Sequence, residues 1–233
     1  MSKQFLGVIV IVILVFVGIF ALSGSKNPPS SGKSGGSTST LTQHIEGQGK
    51  DGITLTEYGD YECPYCGQYF PVVKQVQTEY NQQIFFQFRN FPLVSIHQNA
   101  FAGARAAEAA GLMNKFWEMH DLLYENQTQW SGATDPTPFF NQYATELGLN
   151  VTQFKTDYAS SQVNNLINAD MAEGNKLNIQ GTPTFFLDGK QISVGESAAS
   201  FEKLINAEIA KKAGKSSAAT PTSSGTTSQT SAH

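Results

Sequence analysis

The chain has 233 residues, a formal net charge of −4 and 15% charged residues against 11% Phe, Tyr and Trp. That is enough for one domain of ordinary size with a real core plus tails. No basic stripe occurs anywhere, so nucleic acid is not expected as a partner.

In chain order, the first segment is an apolar run. Phe5 to Leu22 carries no charge and follows Lys3. At about 1.5 Å per residue it reaches roughly 27 Å, the thickness of a bilayer's hydrocarbon core. Residues 1–25 are therefore expected to be an N-terminal transmembrane anchor, with a cleaved signal peptide ending near Ala21-Leu22-Ser23-Gly24 as the alternative. On either reading the bulk of the chain leaves the cytoplasm. Residues 26–41 read as a flexible Ser/Gly linker and residues 213–233 as a disordered Ser/Thr-rich tail. The folded part is then residues 42–212.

Within it, residues 53–58 alternate as a strand that includes Glu57. The stretch Asp60-Tyr61-Glu62-Cys63-Pro64-Tyr65-Cys66-Gly67 follows and holds both cysteines of the chain. A structural disulfide across so short a loop would constrain the unfolded chain very little. The spacing suits either a redox dithiol or half of a metal site, and no second CxxC or HxxxH supplies the remaining zinc ligands. Redox chemistry is the preferred reading, with no metal. Residues 64–80 repeat aromatic and aliphatic side chains at three- and four-residue intervals, the mark of an amphipathic helix, and Pro64 suits its first turn. Cys63 then sits at the helix N-terminus, where unpaired N–H groups favour a negative sulfur, so it is the attacking thiolate. Cys66, one turn in, is the resolving thiol. Asp60 and Glu62 read as solvated turn residues whose charge would oppose that thiolate.

Residues 84–91 form a second strand, parallel to the first if the helix crosses over, and Pro92 closes it. Residues 98–177 look helical throughout. Ala100, Ala104, Ala107 and Ala110 share one face, and Phe116, Trp117 and Tyr124 are expected to pack this cap. Trp130 is left between the cap interior and the border of a groove, and His97 reads as a structural residue at a helix start. Gly181-Thr182-Pro183-Thr184 introduces a strand at 185–187, Asp188-Gly189 signals a hairpin, and residues 191–194 return. A last amphipathic helix covers 198–212. The order predicts a four-stranded α/β sheet with a helical subdomain inserted at about 98–178.

These residues together resemble the DsbA-like branch of the thioredoxin superfamily: Glu57 ahead of the turn, Cys63-Pro64-Tyr65-Cys66, Phe91-Pro92 followed by His97, the Ala-rich helix, and Gly181-Thr182-Pro183-Thr184. The resemblance implies a thioredoxin fold, an α/β protein with a central mixed β-sheet and an all-helical insertion. It implies a cis Thr182–Pro183 bond facing the cysteines, where an extended substrate pairs with the backbone of Thr182 beside Pro183, Pro64 and Tyr65. It also suggests that Glu57 is a partly buried carboxyl exchanging a proton with Cys66 rather than an exposed strand carboxylate. The implied activity is extracytoplasmic thiol–disulfide exchange on unfolded or reduced secreted proteins. A DsbB- or VKOR-like membrane partner re-oxidises the dithiol, and no organic cofactor takes part. The departure is Tyr65, where the best-known oxidant of the family has a histidine in the intervening dipeptide, and Tyr65 predicts a milder oxidant. A reductase or isomerase fed by a membrane electron carrier, and a non-catalytic peptide- or metal-binding module, are the alternatives.

Overall fold

A computed structural model describes residues 41–218 of the chain. The apolar run 5–22, most of the 26–41 linker and the end of the tail lie outside the described residues. Among the described residues no helix is long and apolar enough to cross a membrane.

Five strands make one mixed sheet: β1 (His44–Glu46), β2 (Ile53–Gly59), β3 (Ile84–Asn90), β4 (Thr184–Leu187) and β5 (Lys190–Ile192), in the order β1-β3-β2-β4-β5. β2 and β3 run parallel because helix α1 (Pro64–Glu79) carries the chain back between them; the other pairs are antiparallel. The strand β1 adds a fifth member to the four that the sequence pattern predicts. Its three residues are too few to show an alternation, so only pairing with β3 reveals it.

The helical insertion comprises α2 (Ala100–Gly111), α3 (Phe116–Glu125), α4 (Gln127–Trp130), α5 (Thr137–Glu146), α6 (Val151–Tyr158) and α7 (Ser161–Lys176). Asn150 and Ser160 cap α6 and α7 by accepting from the backbone N–H three residues on. The final helix α8 spans Ala198–Ala218, running past the Lys212 where the sequence pattern ends, and β5 stops at Ile192 rather than Val194.

The small side chains of α2 set the spacing of the cap. Ala104, Ala106, Ala107, Ala109 and Ala110 are all buried and let α3, α6 and α7 close on the helix backbone. At Gly103 a Cβ would stand 2.9 Å from the Trp130 ring and 3.0 Å from the Cβ of Tyr61, so only glycine fits. Trp130 is accordingly buried in the cap, its Nε1 donating to Leu123 O at 2.9 Å, and does not border a groove. One continuous apolar core joins sheet and cap through Phe88, Tyr61, Phe116, Met119, Leu123 and Tyr124. Each such side chain taken from water contributes about 1.5–3 kcal/mol.

A buried polar knot ties β1 to the cap. Asp170 accepts hydrogen bonds from the Thr42 N–H and hydroxyl, from Asn90 N and from Arg89 Nη1, and Glu108 accepts from Asn90 Nδ2 at 2.6 Å. His44, stacked on Phe116, lies 2.8 Å from Glu108.

Candidate active site

The site begins where β2 ends. Cys63 occupies the N-cap of α1 with extended backbone (φ −65°, ψ 120°), and Pro64 takes the first helical position, where no N–H is needed. The Cys63 carbonyl accepts the first helical bond from Gly67 N at 3.1 Å. Its sulfur therefore lies over the open N–H groups of the first turn. Cys66, one turn further, is wholly buried, and both cysteines are free thiols. Tyr65 between them is 61% exposed and Pro64 is exposed, so the dipeptide forms the outer lip of the site.

The segment 181–184, ahead of β4, reaches the same place from the other end of the sequence. The Thr182–Pro183 bond is cis, and the Cys63 thiol donates to Thr182 O at 3.3 Å. The Thr182 hydroxyl is buried and otherwise unpartnered among the described residues. Once Cys63 ionises, donors take over. The thiol of Cys66 is the strongest, followed by the Thr182 side chain and the backbone N–H groups of Cys66 and Tyr65; together they outweigh burial and push the Cys63 pKa from 9.0 down to about 5. Burial pushes Cys66 the other way, well above 9.0, helped by its hydrogen bond to Cys63 and the charge of Glu57. The two sulfurs are thus split into an ionised nucleophile and a protonated partner.

Glu57 lies in the interior of β2, 4% exposed. Its cross-strand partners are Phe88 on β3 and Phe185 on β4, and among the described residues no cation is paired with it. Burial first, and the Cys63 charge second, raise its pKa from 4.5 to about 8. It is a neutral acid at pH 7 and not an exposed strand carboxylate.

Asp60 and Glu62 are not the solvated turn residues their sequence context predicts. Asp60 is 1% exposed: one oxygen accepts from Glu62 N at 2.8 Å, and the other from Leu93 N at 2.9 Å and His97 Nδ1 at 2.6 Å. Glu62 accepts from Asn99 N. The carboxylates are engaged in pinning the 91–99 loop beside the cysteines, and His97 is structural, as its position suggests. The thiolate is strongly favoured in spite of the charges nearby.

Sequence reasoning misses Gln127. Its Nε2 donates to Tyr61 O at 2.7 Å and Cys63 O at 2.9 Å, so the cap holds the CxxC turn by its backbone. A Cβ at residue 67 would lie 2.5 Å from Gln127 Oε1, and the glycine directly after Cys66 is the one signal of that approach. Two recesses flank Cys63. One of about 190 Å³ is lined by Tyr69, Pro183, Thr184, Gln191 and Val194; the other, of about 400 Å³, by Glu62, Pro64, Ile96, His97 and Gly132. A recess of about 470 Å³ on the far face of the sheet, around Thr54, Gln87 and Arg89, touches none of this chemistry.

The thioredoxin family model matches residues 39–207. The chain belongs to the thioredoxin family. Among solved structures, this thioredoxin-family chain is similar to BdbD from Bacillus subtilis, with a TM-score of 0.65 and 21% identity over 72% of this chain and 93% of that one. It is similar to alpha-DsbA1 from Wolbachia pipientis, with a TM-score of 0.64 and 19% identity over 75% and 96%. The thiol-disulfide oxidoreductase MdbA from Actinomyces oris gives a TM-score of 0.58 and 15% identity over 70% and 86%. These likenesses show a thioredoxin-like α/β fold. Two curated relatives carry a different name. The protein named Na(+)/H(+) antiporter NhaA 1 from Salinispora arenicola is 38% identical over 148 residues, 64% of this chain and 22% of the relative. Its namesake from Mycolicibacterium gilvum is 33% identical over 168 residues, 70% of this chain and 26% of the relative. The chain spans about a quarter of the length of these relatives or less.

Proposed function

We propose that the protein is a thiol–disulfide oxidoreductase that introduces disulfides into unfolded or reduced secreted proteins outside the cytoplasm. The observation that carries this reading is the placement of the Cys63 sulfur at a helix N-terminus, opposite Thr182 and cis-Pro183, with Cys66 buried behind it.

In the oxidised enzyme a substrate thiolate attacks the Cys63 sulfur of the Cys63–Cys66 disulfide. The Cys66 thiolate leaves and takes the proton of the neutral Glu57 carboxyl. A second substrate thiolate then attacks the substrate's sulfur in the mixed disulfide, and Cys63 leaves as the stable thiolate. The substrate gains a disulfide and the enzyme finishes as a dithiol. The low Cys63 pKa favours this direction, because a stabilised thiolate is a good leaving group. The segment at Thr182 and Pro183, with Thr184 and Val194 lining the adjacent recess, suits an extended peptide lying along the site next to Pro64 and Tyr65. No organic cofactor enters the cycle; a DsbB- or VKOR-like membrane protein accepts the electrons.

A membrane setting for residues 1–25 is supported by the uncharged run 5–22, and relatives named as antiporters carry a segment that matches this chain. The test is a refolding assay with a reduced, disulfide-containing client, comparing wild type with Cys63→Ser. Oxidation by the wild type and none by the variant is expected. Equal rates end the enzymatic reading, and a potential close to roughly −270 mV, thioredoxin's value, turns the protein into a reductase.

A further inference from the structure

A peptide lying along Thr182 and Pro183 occupies one of the two recesses beside Cys63. The other, of about 400 Å³, lies on the cap side. It is bounded by Glu62 and Pro64 of the cysteine turn, by Ile96 and His97 of the 91–99 loop, and by Ser131 and Gly132. Buried polar side chains hold all three walls. Asp60 accepts from Glu62 N on the first and from Leu93 N on the second. Asn99, itself buried, donates through Nδ2 to Ser131 O at 2.9 Å and Ala133 O at 2.8 Å on the third. Ile96 N and His97 N both donate to Leu93 O at 3.0 Å, so Ile96 stands on a tight turn. The recess is therefore preformed, as ligand sites commonly are.

The charged groups around it are committed to those walls. Glu62 accepts from Asn99 N, and His97 Nδ1 lies 2.6 Å from Asp60 Oδ2. What remains is apolar or neutral: Pro64, Ile96, Gln98 and Ser131. The three most exposed large apolar side chains among the described residues are Ile96 at 72%, Tyr65 at 61% and Val94 at 56%. All three belong to the two segments that border Cys63. Apolar groups held in water on fixed backbone, at the rim of a recess and next to a reactive sulfur, mark a contact surface. Gly132 forms the open side, where a Cβ would meet no atom within 4 Å.

We propose that this recess is a specificity subsite that takes the apolar side chain of a substrate residue adjoining the reacting cysteine, on the flank leading away from Pro183 toward the cap. The proposal rests on the dithiol reading above and names its substrate class: cysteines set in apolar sequence. Such cysteines are the ones a finished fold buries, so they are accessible while the client is still unfolded. The subsite acts in the first exchange step, when the substrate thiolate attacks the Cys63 sulfur and the Cys66 thiolate leaves. An apolar neighbour seated against Ile96 and Pro64 holds the attacking sulfur close to Cys63. A charged neighbour would be stripped of water there without gaining a partner.

The test mixes the oxidised full chain with an excess of reduced single-cysteine peptides that carry Leu, Gly, Asp or Lys directly before or directly after the cysteine. Reduction of the Cys63–Cys66 disulfide is followed by acid quench and alkylation. Rates are expressed per peptide thiolate, so that the neighbour's effect on the peptide's own pKa drops out. At one flank leucine is expected to exceed glycine by about tenfold or more, the scale of an apolar contact in a pocket, while aspartate and lysine do not. Ile96→Ser strips the apolar wall and Gly132→Trp fills the opening, and each should bring the leucine-to-glycine ratio close to one. Leu177→Ser, the same kind of change at an exposed apolar residue on the far face, should keep the ratio. Ratios taken on one preparation cancel any loss of folded protein or of reactivity common to all peptides. A wild type that treats all peptides alike, or that prefers lysine, overturns the subsite and leaves the dithiol reading standing. So does a leucine preference that survives either substitution, or one that Leu177→Ser also removes. A wild type that exchanges with no peptide overturns both.

Discussion

The sulfur of Cys63 stands 3.3 Å from the carbonyl oxygen of Thr182, two groups 119 residues apart in the chain. The contact closes one side of the site, while the first turn of α1 closes the other. A thiol placed there donates to the carbonyl, and a thiolate draws on the Cys66 thiol, the Thr182 side chain and the backbone N–H groups of the turn.

Ultraviolet titration of the reduced protein should therefore show one thiolate appearing with a midpoint near pH 5, and Cys63→Ser should abolish it. Cys66 should not ionise below pH 9. A single midpoint in the ordinary thiol range, about 8.5, would contradict the geometry.

The same depressed value ties Cys63 to stability. Its contribution is present above the ordinary pKa of 9.0 and is lost as pH falls through about 5. Urea unfolding of the reduced wild type, set against Cys63→Ser, should show the wild type gaining relative stability as pH rises between those values.

Glu57 carries the opposite sign. Its folded pKa near 8 lies above the usual 4.5, so its contribution is complete below 4.5 and is lost as pH rises through about 8. In a Cys63→Ser background, which removes the opposing titration, Glu57→Gln should become progressively more stable than its parent as pH rises. With Cys63 in place, Glu57→Gln should also slow the Cys66-dependent step by about 10²-fold or more in single turnover. An unchanged rate would place the proton transfer elsewhere.

Asp60→Ala should destabilise the fold by about 2–5 kcal/mol in urea unfolding, because it strands two or three donors that each cost roughly 1–3 kcal/mol when left unpaired. The alkylation rate of Cys63 should change as the 91–99 loop is released, though the helix end that favours the thiolate persists. A loss below about 0.5 kcal/mol would mean that the buried carboxylate is not what anchors the loop.

Asp170→Ala should be more damaging, by about 3–5 kcal/mol, since Arg89 would be left buried without its counter-charge. Thermal unfolding should show the loss whether the cysteines are oxidised or reduced, because the knot lies apart from them.

Much of the site is legible in the order of the residues. The CxxC spacing, a proline where a helix begins, the apolar period of α1 and the Thr-Pro pair ahead of a strand are local patterns, and local patterns are written by sterics and backbone hydrogen bonding over a few residues. The same holds for β2, β3, the hairpin and the Ala-rich helix. No window of sequence contains which surface folds over which residue. Asp60 reads as a turn carboxylate until the 91–99 loop lies across it, and β1 is three unremarkable residues until β3 offers it an edge. The facing of Thr182 and Cys63, the pairing of Glu57 with Phe88 and Phe185, and the hold of Gln127 on the cysteine turn have the same origin. Burial and charge compensation depend on neighbours scores of residues away, so tertiary packing alone decided them.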